Sequence, residues 1–280
     1  MIYAISNDEL TVSISDMGAE VVSVIHKGRE RVWQNDNGTW SGHSPVLFPV
    51  CGNNAVVIDG KDYNMPFHGF ARKSVFSVVK NMSDSITLLL DYNEETLKVY
   101  PFKFRLSITY SVKDNALLID NTIKNLGDCT MPFALGRHDS FLLDEPISNY
   151  KLCFDKSEEF LSQKTDRDRN LTNLYYDFGG GKEFSLPEEY LINGQAIIFG
   201  EINSRKISLK TSDNRLIAVL SSDCTDNLLL WRPADSQMIC IELWSALPDN
   251  AYETVEFDSN EKYCSLNINE EKTMEFKIEY

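Results

Sequence analysis

The chain has 280 residues and a formal net charge of −15, with 42 acidic against 27 basic side chains. Nucleic acids and anionic membrane surfaces would repel such a charge, so neither is expected as a main partner. The sequence shows no signal segment and no run of about eighteen apolar residues, which predicts a cytoplasmic protein without a membrane span. Its six cysteines are scattered without close pairs, which favours reduced thiols over disulfides or a zinc site.

Short segments of alternating apolar and polar residues follow one another along the chain, a pattern typical of antiparallel strands. The clearest alternation covers residues 104–112, where one face is apolar and the other polar. Asp59-Gly60 follows the apolar residues 56–58, and this dipeptide predicts a β-hairpin. The predicted strands cover residues 10–14, 21–25, 75–79, 86–92, 104–112, 117–123, 196–199, 206–211, 216–220, 228–231, 239–244, 263–268 and 274–280.

Helical patterns are weak throughout, and no segment has the periodicity of an amphipathic helix of three turns. Residues 144–189 contain charge clusters, three consecutive glycines and Pro187, and they are predicted to form long loops over the sheet. No shift in composition marks a linker. Many strands joined by turns indicate an all-β fold, and we expect residues 1–280 to form a single large antiparallel β-sandwich domain.

The stretch from Trp40 to Arg72 is expected to form one wall of a binding site. Two prolines make its apolar part, residues 45–52, unsuitable as a central strand, so an edge strand or a loop at one end of a sheet is predicted. His68 follows, flanked by phenylalanines and by a glycine that allows close approach to the backbone. An isolated histidine of this kind is more often a core residue satisfied by a carbonyl.

Two further segments carry candidate proton-transfer groups. His138 follows an apolar strand and a glycine, and Glu242 is the single carboxylate in the apolar strand at 239–244. By the two-residue period Glu242 shares a face with Trp244, where a carboxylate is costly unless it is paired or opens onto a cavity. An ion pair with Arg232 explains this strand equally well.

Considered together, His68, His138 and Glu242 suit acid-base chemistry on a sugar, because neighbouring aromatic faces stack on pyranose C–H groups while the ionisable groups move protons. A metal site of two histidines and one carboxylate ranks well below, since no pair has close ligand spacing. Patterns of a nucleophilic serine or a phosphate-binding loop are absent from the sequence. His26 and His43 are expected to be surface or structural residues.

The segments PVLFPVCG, MPFHGFAR, FALGRHDSF and CIELW, in this order, resemble the aldose 1-epimerase (galactose mutarotase) family, and in particular its LacX-like branch. The resemblance covers essentially the whole chain. It implies the large β-sandwich called the supersandwich and the interconversion of α and β anomers of free sugars, with no cofactor and no metal. A sugar is the only partner it implies, and we expect a monomer or a homodimer.

The resemblance also implies individual roles. His138 matches the general acid that protonates the ring oxygen, Glu242 matches the base that removes the anomeric hydroxyl proton, and His68 matches a histidine that hydrogen-bonds the sugar near its ring oxygen. Each proton transfer would contribute about 10²- to 10⁴-fold to the rate. Arg72, from the family's His-Gly-Phe-Ala-Arg pattern, and Trp244, on the strand of the base, are expected to contact the sugar.

The chain departs from the family pattern at four places, one of which is Leu243, where the family's Ile-Glu-Pro-Trp pattern carries a proline. Asn53 stands where the family usually carries an arginine that contacts sugar oxygens, and Gln195 stands where an aspartate is common. Arg137 is inserted into the family's Gly-His-Pro pattern, and Asp139 takes the place of its proline. Asn53, Gln195 and Arg137 are counted among the expected sugar contacts. Asp139 would raise the pKa of His138, whereas Arg137 would lower it.

Three functions are compatible with these residues. An aldose mutarotase with altered substrate preference is favoured, because both proton carriers are kept. A non-catalytic sugar-binding or sugar-sensing sandwich would explain the loss of charge at Asn53 and Gln195. A mutarotase for phosphorylated hexoses would need a local basic cluster, which Arg72, Lys73 and Arg137 could supply.

Overall fold

Antiparallel strands dominate the computed structural model, which describes residues 1–53, 56–251 and 256–280. In chain order the strands are β1 (Ile2–Ser6), β2 (Leu10–Ser15), β3 (Val21–His26), β4 (Arg29–Glu30), β5 (Val46–Leu47), β6 (Val56–Ile58), β7 (Lys61–Tyr63), β8 (Ser77–Asn81), β9 (Ser85–Asp91), β10 (Phe104–Lys113), β11 (Ala116–Asn125), β12 (Met131–Phe133), β13 (Gly136–Arg137), β14 (Asp139–Leu142), β15 (Tyr150–Thr165), β16 (Leu171–Ser185), β17 (Ile197–Phe199), β18 (Lys206–Thr211), β19 (Leu216–Ser221), β20 (Asn227–Trp231), β21 (Met238–Trp244), β22 (Cys264–Leu266) and β23 (Glu271–Glu279).

The helices in these parts of the chain are short. The α-helices are α1 (Glu94–Val99) and α2 (Glu188–Leu191), and 3₁₀ turns cover Ala71–Lys73, Ile147–Asn149 and Phe257–Ser259. None of the described helices has the length and apolar character needed to cross a bilayer.

Two large antiparallel sheets form the body of the fold. The nine-stranded sheet has the order β16-β15-β18-β19-β23-β11-β10-β9-β8. The six-stranded sheet has the order β17-β20-β21-β13-β5, with β14 also paired to β21. A four-stranded meander, β1-β2-β3-β4, opens the chain, and β6-β7 and β12-β22 form separate pairs. The all-β antiparallel prediction is confirmed.

Both large sheets contribute to one cluster of buried hydrophobic side chains. In β10 buried residues alternate with more exposed ones, as the sequence pattern predicts. Strand β21 is different, because all seven of its residues are buried. Its Ile239 and Ile241 belong to the main cluster, whereas Met238 and Cys240 pack with Trp33 in a second cluster. Residues on both faces of β21 are therefore covered.

The local predictions for the Trp40 to Arg72 stretch are confirmed. Strands β6 and β7 form the predicted hairpin, and its turn residues Asp59 and Gly60 have φ values of +52° and +70°. Such positive φ values at both central positions match the twist of the flanking strands. Strand β5 lies at the edge of the six-stranded sheet, where its neighbouring prolines interrupt no ladder.

The prediction of long loops over residues 144–189 is wrong. Strands β15 and β16 form a long antiparallel hairpin at the edge of the nine-stranded sheet. The register of this hairpin shifts at three places, and most of β16 is exposed. Bulges interrupt the two-residue alternation, and solvent-facing positions carry charges and glycines, so the segment lacks the usual strand signature.

Candidate active site

The candidate site forms where β13 and β14 run beside β21. Gly136, two residues before His138, pairs with Trp244, two residues after Glu242. The same register continues between β14 and β21 on the other side of the histidine. Directly opposite residues on paired strands lie close together, so this register brings His138 and Glu242 into contact. The distance from His138 Nε2 to Glu242 Oε1 is 3.2 Å.

Backbone and ring contacts hold His138 in this orientation. Its amide donates a hydrogen bond to the Pro45 carbonyl at 3.1 Å. Trp40 stacks on the imidazole with ring centroids 5.1 Å apart and an interplanar angle of 29°. The Trp231 ring meets the imidazole edge-on, with centroids 5.8 Å apart. The imidazole is therefore held against two indole rings that also contact each other, with its Nε2 atom directed at the carboxylate.

Burial sets the protonation of this pair. It raises the pKa of Glu242 well above its usual range, and it lowers the pKa of His138 to about 3. Between these two pKa values the pair carries one proton. His138 Nδ1 and Glu242 Oε2 have no hydrogen-bond partner among the described residues. Buried polar atoms are rarely left unpaired, and these two atoms are candidates for contact with a ligand.

His68 supplies a third polar group, with its ring centroid 5.6 Å from that of His138. Its φ is +65°, an uncommon conformation for histidine that clusters at functional sites. The Gly52 amide donates to His68 Nδ1 at 2.9 Å, so the ring proton lies on Nε2. Burial lowers the pKa of His68 well below its usual range. His68 thus presents a neutral N–H donor rather than an acid.

The turn that carries His68 packs tightly on the backbone next to β5. Gly69 has a φ of +70°, and a Cβ atom there would lie 2.1 Å from the Phe48 carbonyl oxygen. Only glycine fits this position. Arg72, just beyond the turn, donates from Nη2 to the Phe67 carbonyl at 3.1 Å, while its buried Nε atom has no partner in the described chain.

These groups face a cavity of about 590 Å³, a usual volume for a small-molecule site. Gln195 reaches it beside Gly194, whose carbonyl accepts a 3.0 Å hydrogen bond from the Trp231 indole. The expected site residues that line the cavity are His68, Arg72, His138, Gln195, Glu242 and Trp244.

Arg137 is absent from the cavity lining. Its side chain is fully buried and pairs with Asp139, with 2.7 Å from Nη2 to Oδ1. It also donates to the Tyr110 hydroxyl at 3.1 Å and to the Ser44 carbonyl at 3.3 Å. Adjacent strand residues point to opposite faces, so Arg137 lies away from the sugar side of His138.

Asn53 is also turned away from the cavity. Its side-chain amide donates to Asn170 Oδ1 at 2.8 Å and to the Asp168 carbonyl at 3.2 Å. Both acceptors belong to the turn between β15 and β16. The residue expected to contact sugar oxygens therefore fastens this turn beside the cavity.

The β15–β16 hairpin contributes a wall of the cavity that was not predicted from the sequence. Lys164, Arg169 and Tyr176 line the cavity from this hairpin. The Lys164 ammonium lies 3.7 Å from the centroid of the Tyr176 ring, and the Arg169 guanidinium lies 4.9 Å from that of Phe67. No local pattern marks these residues, because they approach the histidines only through tertiary structure. The stacking partner Trp231 was also left out of the expected site, whereas Trp40 was expected as the start of the wall that runs to Arg72.

The competing structural interpretations are resolved by geometry. Arg232 donates to the Ser236 carbonyl, so the alternative ion pair with Glu242 does not form. His26 is outside the cavity, and its Nε2 atom lies 3.6 Å from Glu9 Oε2. His43 is half-buried outside the cavity as well.

One group of metal-binding side chains occurs among the described residues. A ligand atom from each of His138, Cys240 and Glu242 lies within 4.8 Å of the other two. Burial raises the pKa of the Cys240 thiol well above its usual range, and a protonated thiol is a poor metal ligand. The group suits proton transfer between imidazole and carboxylate better than metal coordination.

Comparison with known proteins gives one family. The family model for aldose 1-epimerase matches residues 1–263. The chain is 29% identical over 267 residues to the chromosomal protein LacX of Lactococcus lactis subsp. lactis, and the match covers 88% of each protein.

Solved structures share the whole fold. A galactose mutarotase-like protein from Lactobacillus casei ATCC 334 has a TM-score of 0.91 at 26% identity, with 100% of this chain and 99% of that chain covered. A galactose mutarotase related enzyme from Lactobacillus acidophilus has a TM-score of 0.87 at 29% identity, with coverages of 100% and 97%. The expected galactose mutarotase-like sandwich is confirmed.

Proposed function

The chain belongs to the aldose 1-epimerase family, and from this premise we propose that it interconverts the α and β anomers of an aldose by acid-base opening and closure of the pyranose ring. The observation that carries the proposal is the buried pair of His138 and Glu242, 3.2 Å apart at the cavity wall. Each member of the pair keeps one atom without a partner among the described residues.

In the proposed reaction, the Glu242 carboxylate accepts the proton of the anomeric hydroxyl. The C1–O5 bond breaks, and the electron pair left on O5 takes a proton from the His138 imidazolium, which gives the open-chain aldehyde. Rotation about the C1–C2 bond exposes the other face of the carbonyl. Ring closure then reverses both proton transfers, so sugar and enzyme each end with the protons they began with.

Burial determines which member of the pair holds the proton in the empty site. Before ring opening the pair is charged, with the proton on His138; after it, the pair is neutral, with the proton on Glu242. A desolvated environment disfavours the charged form, as the raised pKa of Glu242 and the lowered pKa of His138 indicate. In the empty site the pair therefore rests with its proton on Glu242, and a bound sugar must favour transfer of that proton to His138 before the ring opens by this route.

The remaining residues suit sugar binding. The Nε2–H donor of His68 is suited to the ring oxygen, where negative charge develops as the bond breaks. The indoles of Trp40 and Trp231 offer apolar faces for the C–H groups of the ring. Arg72 lines the same cavity. Its Nε atom has no hydrogen-bond partner among the described residues and is a candidate donor to a sugar hydroxyl.

Polarimetry of freshly dissolved single anomers tests the proposal. The wild type and the double variant His138→Gln/Glu242→Gln are compared with buffer on a panel of free aldoses and their phosphates. We expect the wild type to accelerate the change in rotation and the double variant to match buffer. Sugar binding by calorimetry without any acceleration on the panel would contradict the mutarotase proposal and favour a sugar-binding protein.

A further inference from the structure

Positive charge is concentrated on one wall of the cavity, although the chain as a whole carries a net charge of −15. Lys164 and Arg169 come from the β15–β16 hairpin, and Arg72 comes from the segment after His68. Lys164 and Arg169 contact aromatic rings rather than carboxylates, and neither forms an ion pair within the described ranges.

The nearby carboxylate of Asp166 forms no ion pair with Lys164 or Arg169. Its Oδ1 atom accepts hydrogen bonds from the amides of Asp168 and Asn170, each at 2.9 Å. Its Oδ2 atom accepts from the Asn170 side chain at 3.4 Å. Asp166 is thus occupied in shaping the turn, and the cations beside it remain available to a ligand.

The turn holds Arg169 in a defined place. Arg169 has a φ of +68°, a left-handed conformation that is uncommon for a non-glycine residue and persists only where the surroundings fix it. Asn53 clamps the turn through its bonds to Asn170 and Asp168, and the Leu171 amide donates to the Asp249 carbonyl at 2.8 Å. The guanidinium lies over Phe67, whose ring centroid is 4.0 Å from that of His68.

A series of ring contacts connects Arg169 to the proton carriers. The Arg169 guanidinium lies over Phe67, the Phe67 ring contacts His68, and the His68 ring centroid lies 5.6 Å from that of His138. A cation bound to the reacting oxygens would compete with the acid and the base, whereas a cation two ring contacts away from His138 can hold another part of the sugar. Arginine binds carboxylates and phosphates through two parallel hydrogen bonds.

We infer that the substrate is an aldose with an anionic group, a phosphate or a carboxylate, away from C1, and that Arg169 and Lys164 bind this group on the turn clamped by Asn53. This inference rests on the proposed mutarotase function. It differs from a basic cluster built on Lys73 and Arg137, since neither of these lines the cavity.

NMR exchange spectroscopy of equilibrated sugars measures the rate of anomer exchange and needs no pure anomer. Glucose and galactose serve as neutral substrates, their 6-phosphates as phosphate substrates, and glucuronate and galacturonate as carboxylate substrates. We expect kcat/KM for one anionic class to exceed that for the matching neutral sugars by about tenfold or more, the usual effect of one charge-assisted contact. Whichever class shows the excess identifies the anionic group.

The variants Arg169→Gln and Lys164→Gln should each lower the ratio of anionic to neutral kcat/KM about tenfold, mainly through KM. Arg169→Lys, which keeps the charge but loses the paired donors, should lie between Gln and wild type. Arg167→Gln removes a charge from the same turn outside the cavity lining and should leave the ratio within roughly twofold of wild type.

Two results would overturn the inference, and they are distinguishable. Equal rates for neutral and anionic sugars, with Arg169→Gln and Lys164→Gln behaving like Arg167→Gln, would remove the anionic substrate but leave the mutarotase. No acceleration for any sugar by the folded wild type would remove the mutarotase function, and the inference with it.

Discussion

The three consecutive residues 137–139 belong to two buried polar pairs, and these pairs are built differently. Arg137 and Asp139 form an ion pair at 2.7 Å, and the guanidinium has further partners in the Tyr110 hydroxyl and the Ser44 carbonyl. His138, between them in sequence, meets Glu242 at 3.2 Å on the cavity side. Each member of this second pair has an atom without a partner in the described parts of the chain.

The difference separates a structural pair from a reactive one. Buried charges contribute to a stable fold when their hydrogen-bonding capacity is filled, as it is around Arg137. Buried polar groups with unfilled capacity lower stability unless a ligand completes them, as proposed for His138 and Glu242. Strand alternation allows both arrangements on neighbouring residues, because one side chain faces the interior and the next faces the cavity.

The largest expected effect is on catalysis by the reactive pair. His138→Gln should lower kcat/KM by about 10²- to 10⁴-fold, because the proton donor to the ring oxygen is lost. Steady-state mutarotation kinetics measure the loss, and thermal unfolding should show a melting temperature close to that of the wild type. Full activity in the variant would show that His138 is not the acid.

The next effect is on stability, through the structural pair. Asp139→Asn leaves Arg137 as a buried charge without a counter-charge, so we expect the free energy of unfolding to fall by about 3–5 kcal/mol. Urea denaturation measures it, with the exposed Asp120→Asn as a control expected within about 0.5 kcal/mol of wild type. Equal free energies of unfolding for Asp139→Asn and Asp120→Asn would show that Asp139 does not stabilise the buried Arg137.

The pH dependence of the free energy of unfolding should distinguish Glu242 from the structural pair of Arg137 and Asp139. Glu242 has a pKa raised above its usual 4.5, so the folded state binds its proton more tightly than the unfolded state. This contribution is present below pH 4.5 and is lost as pH rises through the folded-state pKa. Glu242→Gln should therefore gain stability relative to wild type with increasing pH, by up to about 1.4 kcal/mol per pH unit.

Urea titrations at several pH values measure this difference between Glu242→Gln and wild type. The critical result is the sign of the change in this stability difference as the pH rises. A difference that stays constant from acid to neutral pH would show that Glu242 is not held protonated by burial.

The smallest expected effect concerns Asn53, whose amide is satisfied within the turn and should behave as a structural group. Asn53→Ala should lower the free energy of unfolding by about 1 kcal/mol, the usual contribution of a side-chain hydrogen bond. Amide hydrogen exchange should increase in residues 166–170. An unchanged exchange pattern there, matching that of the exposed control Asn81→Ala, would show that Asn53 does not fasten the turn.

Much of the reactive pair is visible in the sequence, and much of its surroundings is not. A lone carboxylate in the apolar strand β21 stands out by its chemistry, and the resemblance of the segment around His138 marks that histidine as the expected acid. The structural role of Arg137 depends on Tyr110 and Ser44, which are distant in the chain and carry no local signal. Arg137 was expected to contact the sugar because it is next to His138 in sequence. Strand alternation instead places its side chain on the opposite face.

The hairpin β15–β16 shows the same limit at the level of secondary structure. Bulges and exposed, charged positions remove the alternating pattern that would predict its two strands. The pairing of β15 with β16 and with β18 depends on the rest of the sheet. Consequently Lys164 and Arg169, which complete the cavity, lay outside the sequence prediction. The sequence was most informative where each side chain's environment follows from its own strand, and least informative where a distant turn supplies the wall.

The proton-transfer roles of His138 and Glu242 are tested most directly by the mutarotation rate of Glu242→Gln on the sugar that the wild type accelerates most. Glu158→Gln is the matched control, since Glu158 is also buried but accepts hydrogen bonds from the Asn203 and Ser204 amides outside the cavity. We expect folded Glu242→Gln to lose about 10²-fold or more of the catalysed rate and folded Glu158→Gln to keep it. Equal rates for Glu242→Gln and wild type would contradict the account.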